Sequence, residues 1–129
     1  MTNVIFIHGL FGDGKENWFP WLKAGLEKRG CNVYVPRFPS PKNQNVKNWS
    51  KVFKDYEQYV DKNVIIVGHS LGPVFILTIL EKHRAKAVFL VAGFTGLLGI
   101  PDIDTFNKEL TDRNFDFKKI KEHCKQFFI

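Results

Sequence analysis

Two groupings in this chain have residue types and spacing that suit chemistry. The first is Gly68-His69-Ser70-Leu71-Gly72, a serine framed by glycines as G-x-S-x-G. A serine hydroxyl alone is a weak nucleophile. It becomes effective when a sharp turn holds it clear of its surroundings and a base takes its proton. Such a turn leaves no room for bulky side chains on either flank, and it holds the serine in a strained backbone conformation with the hydroxyl outward. The second grouping is the glycine-rich stretch His8-Gly9-Leu10-Phe11-Gly12-Asp13-Gly14. A loop of this kind after an early strand can supply one backbone N–H to the oxyanion of a tetrahedral intermediate, and the residue after the nucleophile supplies the other. The expected donors are the amides of Leu10 and Leu71, whose side chains are immaterial to that role. The plainer alternatives are a chance pentapeptide and an ordinary strand-to-helix turn.

The same loop carries a decoy. Gly9-Leu10-Phe11-Gly12-Asp13-Gly14-Lys15 fits the first seven positions of a phosphate-binding P-loop. The eighth should be a serine or threonine, whose hydroxyl holds magnesium. Here it is Glu16, a negative charge beside the would-be phosphates. The third strand should also end in an aspartate for the metal, but it runs into Gly68-His69-Ser70. Both departures argue against nucleotide hydrolysis.

The elements that must position these groups follow from short apolar runs separated by helical segments. Strands are expected near Val4–His8, Asn32–Val35, Val64–Gly68, Ala87–Ala92 and Gln126–Ile129. Helices are expected near Trp18–Arg29, Trp49–Val60 and Leu71–His83, with two shorter ones near Asp104–Leu110 and Phe117–Cys124. Pro36 to Lys47 holds three of the six prolines, which marks it as a loop. Alternating strand and helix predicts an α/β fold with a parallel sheet, right-handed crossovers and helices on both faces. Residues 1–129 make a single domain.

With these motifs in place, the chain resembles the small, cap-less α/β-hydrolases grouped with retinoblastoma-binding protein 9. The resemblance runs the whole length. It takes in the early strand and glycine loop, Trp18-Phe19-Pro20-Trp21-Leu22, Val35-Pro36-Arg37-Phe38-Pro39, the Ser70 pentapeptide and Val88-Phe89-Leu90-Val91-Ala92-Gly93-Phe94. It implies a three-layer α/β-hydrolase fold, C-terminally incomplete, and a cytosolic serine hydrolase acting on small esters or related acyl compounds. No cofactor and no metal is expected. The pocket should be open and shallow, with Phe11, Trp18, Phe19, Phe94 and Leu97 as candidates to line it; the alternative for each is core packing.

Enzymes of this kind use a nucleophile, then an acid, then a histidine in chain order. The resemblance places the acid after the strand that begins near Lys125 and the histidine further on, so both are expected beyond Ile129. Substitutes within the chain are few. The resemblance assigns His8 and His69 to packing or loop shape. His83 falls at the end of the helix after Ser70, and His123 at the wrong end of the last strand. Asp102 and Asp104 follow the fourth strand, where loop solvation and helix capping are the alternative to an acid role. Slow turnover is therefore expected of residues 1–129. A non-catalytic module that binds a ligand or a protein partner on a hydrolase scaffold is the alternative function.

Composition narrows the remaining classes. The net charge of +6 invites a nucleic-acid reading. The lysines are dispersed, however, and no recognition motif accompanies them, so no nucleic-acid partner is expected. No apolar run reaches membrane-spanning length and no signal-type segment is seen, so a cytoplasmic protein without membrane contact is expected. Cys31 and Cys124 lack metal or redox spacing and read as free thiols. The incomplete sheet should leave Phe127, Phe128 and Ile129 at an open edge, which predicts self-association, binding of a completing segment or poor expression.

Overall fold

A computed structural model describes residues 1–129. The apolar runs form five short strands: β1 Asn3–Ile7, β2 Asn32–Tyr34, β3 Ile65–His69, β4 Ala87–Val91 and β5 Phe127–Phe128. Between them lie α1 Phe19–Glu27, α2 Val46–Lys54, α3 Gly72–Leu80, α4 Pro101–Thr111 and α5 Phe117–His123. The sheet order is β2-β1-β3-β4-β5, and every neighbouring pair is parallel.

This order matters for the site. The chain leaves β1 toward one side to make β2, then returns to place β3 on the other side. The C-terminal ends of β1 and β3 therefore flank a topological switch point, where open α/β sheets form their crevices. Register brings the ends level: Ile7 pairs with Gly68, and His69 pairs with Val91. The loop after β1, the turn after β3 and the loop after β4 thus share one edge of the sheet.

Strand alternation sorts side chains onto two faces. Val4, Phe6, Val33 and Val67 face α1 and pack with Phe19. Ile5, Ile7, Ile66 and Val88 face the larger layer, where Trp49 and Phe53 of α2, most of α3, Leu110 of α4 and Ile120 of α5 close the core. α3 is apolar nearly all round and correspondingly buried. The three-layer arrangement read from the sequence is present.

Boundaries shift where local chemistry outranks periodicity. α2 starts three residues before Trp49 because Asn45 caps it, its side chain accepting from the Asn48 amide. It stops at Lys54, and a separate 3-10 turn, Glu57–Tyr59, replaces the expected helix to Val60. α4 extends back to Pro101, since proline at the first helical position costs no hydrogen bond. α1 and α3 are each shorter than expected at their C-terminal ends, as is the strand near Gln126–Ile129. No helix is long and apolar enough to cross a membrane.

Candidate functional site

Ser70 occupies the turn between β3 and α3 with φ +58°, in the left-handed region that costs a non-glycine residue about 1–2 kcal/mol. Three close approaches hold it there. Its N–H donates to the Val91 carbonyl at 2.9 Å. A Cβ on Gly72 would collide with the Ile7 carbonyl oxygen. A Cβ on Gly68 would lie 2.8 Å from both the Pro73 nitrogen and Ile76 Cδ1. Both motif glycines are thus demanded by the approach of neighbouring chain segments. Ser70 is half-buried, and its hydroxyl makes no hydrogen bond within the protein.

The glycine loop lies against this turn. A Cβ on Gly9 would sit 2.9 Å from Ser70 Cβ and 3.2 Å from the Leu71 nitrogen, which places the two segments in direct contact. Neither the Leu10 nor the Leu71 N–H has an acceptor in the protein. Two backbone amides in the segments that meet at Ser70 thus keep their hydrogen-bonding capacity unused within the protein. The peptide unit carrying the Leu10 N–H is fixed from its other end. Its carbonyl, that of Gly9, accepts from Gly12 N–H at 3.1 Å and from His8 Nδ1 at 2.8 Å. In a trans peptide the N–H opposes the carbonyl, so these bonds turn the Leu10 N–H away from His8.

The same contacts define His8. Its Nε2 accepts the Phe38 N–H at 2.9 Å, so the proton resides on Nδ1, which donates to Gly9. Burial pushes its pKa below the ordinary value. His8 is a neutral clamp with both nitrogens engaged. His69 follows the alternation of β3 onto the α1 face, where its ring meets Trp18 at 5.7 Å. His83 contacts Glu57 at 3.2 Å and His123 Nδ1 donates to the Leu80 carbonyl at 2.6 Å, both at the far end of α3. No histidine hydrogen-bonds Ser70.

The candidate acids are also accounted for. The Asp104 carboxylate accepts from the amides of Leu98, Gly99 and Ile100 at 2.8–3.0 Å, which closes the turn into α4. Asp102 is exposed and makes no hydrogen bond. In the P-loop-like segment, Asp13 accepts from the Lys15 amide and Glu16 from the Asp13 amide, so carboxylates take the donors a phosphate would need.

The candidate lining residues divide. Phe11 and Leu97 are exposed. Phe19 is not a lining residue: it is fully buried against Phe6, because α1 turns it into the sheet. Phe94 packs partly onto the main core, and Trp18 borders an apolar groove of about 460 Å³ on the α1 face, with Leu22, Leu26, Phe89 and Val91 among its walls. That groove lies along the sheet face, not at the Ser70 turn.

Sequence reasoning missed a polar chain beside the site. Phe11 N–H donates to Ser40 Oγ at 2.8 Å, and Ser40 Oγ donates to Gln44 Oε1 at 2.6 Å. Gln44 Nε2 then donates to the Phe106 carbonyl and to Asn107 Oδ1, each at 2.9 Å. Gln44 and Asn107 are both buried. Nothing in the proline-rich loop marks Gln44 as an interior residue.

Comparison with known proteins identifies the family and the fold. The sequence model described as the alpha/beta hydrolase family matches residues 4–121. YdeN of Bacillus subtilis (strain 168) is 32% identical over 130 residues, covering 97% of this chain and 67% of that protein. The serine hydrolase RBBP9 of Rattus norvegicus is 30% identical over 126 residues, covering 95% of this chain and 66% of that protein. The crystal structure of YdeN superposes with a TM-score of 0.86 over 98% of this chain and 69% of that one. An extracellular alpha/beta-hydrolase from a Paenibacillus species shares the fold, with a TM-score of 0.64 at 21% identity, over 84% of this chain and 50% of that one. The chain thus spans about two thirds of the length of YdeN and RBBP9.

Proposed function

Because the chain belongs to the alpha/beta hydrolase family, we propose that it is built for serine hydrolase chemistry on small esters or related acyl compounds, with Ser70 as nucleophile. The observation that carries this reading is a strained serine beside two amides without acceptors, those of Leu10 and Leu71. In this scheme Ser70 Oγ attacks the acyl carbon and gives its proton to a base. The carbonyl oxygen becomes an oxyanion and accepts from the Leu10 and Leu71 amides, with the N-terminus of α3 adding positive potential. Collapse breaks the bond to the leaving group, which takes the proton. Water then attacks the acyl-serine, releasing the carboxylic acid and restoring the hydroxyl.

The base and the acid are the parts that residues 1–129 do not assemble. His8, His69, His83 and His123 are all directed elsewhere, and the family resemblance puts the acid and histidine after β5. Residues 1–129 alone therefore turn over aryl esters slowly. The same observation favours a second reading, a binding module that holds a ligand oxygen on the two amides without turnover. Free thiols at Cys31 and Cys124 support a cytoplasmic setting for either.

Hydrolysis of a short aryl ester separates the two. The enzyme reading expects a slow rate above background that Ser70→Ala removes. A rate unchanged by Ser70→Ala overturns it in favour of binding alone.

A further inference from the structure

We propose that Gln44 is a positioning residue for the oxyanion loop, acting through Ser40 on the peptide that follows Leu10. The inference rests on the serine hydrolase reading above, and it assigns a role to residues that no catalytic pattern includes.

Leu10 lies between two restraints. On its N-terminal side, the Gly9 carbonyl is held by His8 and Gly12, which sets the direction of the Leu10 N–H. On its C-terminal side, Phe11 adopts φ +62°, a left-handed conformation that a phenylalanine does not hold without support. Its ring is exposed, so burial of the side chain does not provide that support. The Phe11 N–H is held by Ser40 Oγ, and Ser40 must in turn spend its own proton on Gln44 Oε1 to present a lone pair to Phe11. Gln44 thereby sets the orientation of the Ser40 hydroxyl.

The other end of Gln44 gives the relay a fixed base. Both of its donated bonds reach α4, at Phe106 and Asn107, and the Phe106 ring meets the Phe11 ring edge-on at 5.9 Å. The amide is buried with its acceptor and donors all satisfied, a configuration whose partial loss is costly. A staple that only joined α4 to the loop after β2 would need the two bonds to α4 alone. The Ser40 branch is what connects Gln44 to the strained residue next to Leu10.

Three variants test this in the 129-residue chain. Ser40→Ala cuts the branch to Phe11, Gln44→Met removes the polar group at similar volume, and Ser40→Thr keeps the hydroxyl. Amide hydrogen exchange at Phe11 is expected to accelerate about tenfold or more in Ser40→Ala and Gln44→Met but not in Ser40→Thr, with β1 and β3 amides unchanged. For phosphonylation of Ser70 by a fluorophosphonate, the maximal rate constant is expected to fall about tenfold in the first two variants, with the half-saturating probe concentration within about twofold, since a misaimed oxyanion donor is felt in the transition state. Unchanged Phe11 exchange in both variants overturns the relay. Faster exchange with an unchanged phosphonylation rate overturns its role in positioning. If the parent chain shows no Ser70-dependent labelling, the hydrolase reading fails separately and the exchange data still decide whether Gln44 holds the loop.

Discussion

Replacing Ser70 by glycine should remove the nucleophile and stabilise the fold relative to alanine at the same position. Ser70 sits at φ +58°, so an alanine there keeps the left-handed penalty of about 1–2 kcal/mol, whereas glycine is released from it. Glycine also gains more freedom in the unfolded chain, which offsets about 0.4–1 kcal/mol of that release. The expected net is Ser70→Gly more stable than Ser70→Ala by about 0.8 kcal/mol, the difference between the mid-points of the two ranges. Ala24 in the exposed face of α1 provides the contrast, because its backbone is helical. There the change to glycine should destabilise by about 1 kcal/mol. Urea unfolding followed by far-ultraviolet circular dichroism measures all three variants, with equal m-values required for the comparison. If Ser70→Gly proves no more stable than Ser70→Ala, the turn is not strained at Ser70 and the positional argument for the nucleophile fails.

Further outcomes follow from neighbouring contacts. Gly72→Ala places a methyl group on the Ile7 carbonyl, where backbone must move, and should cost about 2–3 kcal/mol in the same unfolding assay. His8 has a folded-state pKa below its unfolded value near 6.5, so the unfolded chain binds the proton more readily; stability is full above about pH 6.5 and declines below it, by at most about 1.4 kcal/mol per pH unit from this group. His8→Gln, read by unfolding midpoints from pH 7.5 to 5, should flatten that decline. Arg113 donates to Glu81 at 2.8 Å and to Thr78 at 2.7 Å, so Arg113→Met should lower stability by about 1–2 kcal/mol. Phe89, Val91 and Phe128 expose apolar surface beside the α1 groove, so the 129-residue chain should self-associate there in sedimentation velocity runs and revert toward monomer in Phe89→Ser. A monomer at all concentrations would contradict that surface's role.

The parts of this molecule that were legible in the sequence are those governed by period and by glycine. Four-residue apolar runs such as Val4-Ile5-Phe6-Ile7 can be buried on both faces only in a covered parallel sheet, and that is where they lie. Gly68 and Gly72 announced a turn because no other residue tolerates the approach of Pro73 and Ile7. Phe19 stays open between lining and core packing in the sequence because its place beside Trp18 does not reveal which of the two faces inward; packing against Phe6 decides for the core. The 3-10 turn after α2 carries Tyr59 onto Tyr34, stacked at 3.9 Å, a tertiary contact without a local signal. Gln44 and Asn107 were invisible for the same reason, since they meet across 63 positions of sequence.

Whether Ser70 is a nucleophile working beside the Leu10 and Leu71 amides is decided by incubating the 129-residue chain with a fluorophosphonate, digesting it and locating the adduct by mass spectrometry. Attack by Ser70 Oγ forms an oxygen–phosphorus bond and expels fluoride, so the expected product is a phosphonyl adduct on Ser70, accumulating slowly and absent from Ser70→Ala. An adduct on another residue with Ser70 unmodified, or equal labelling of Ser70→Ala, would contradict it.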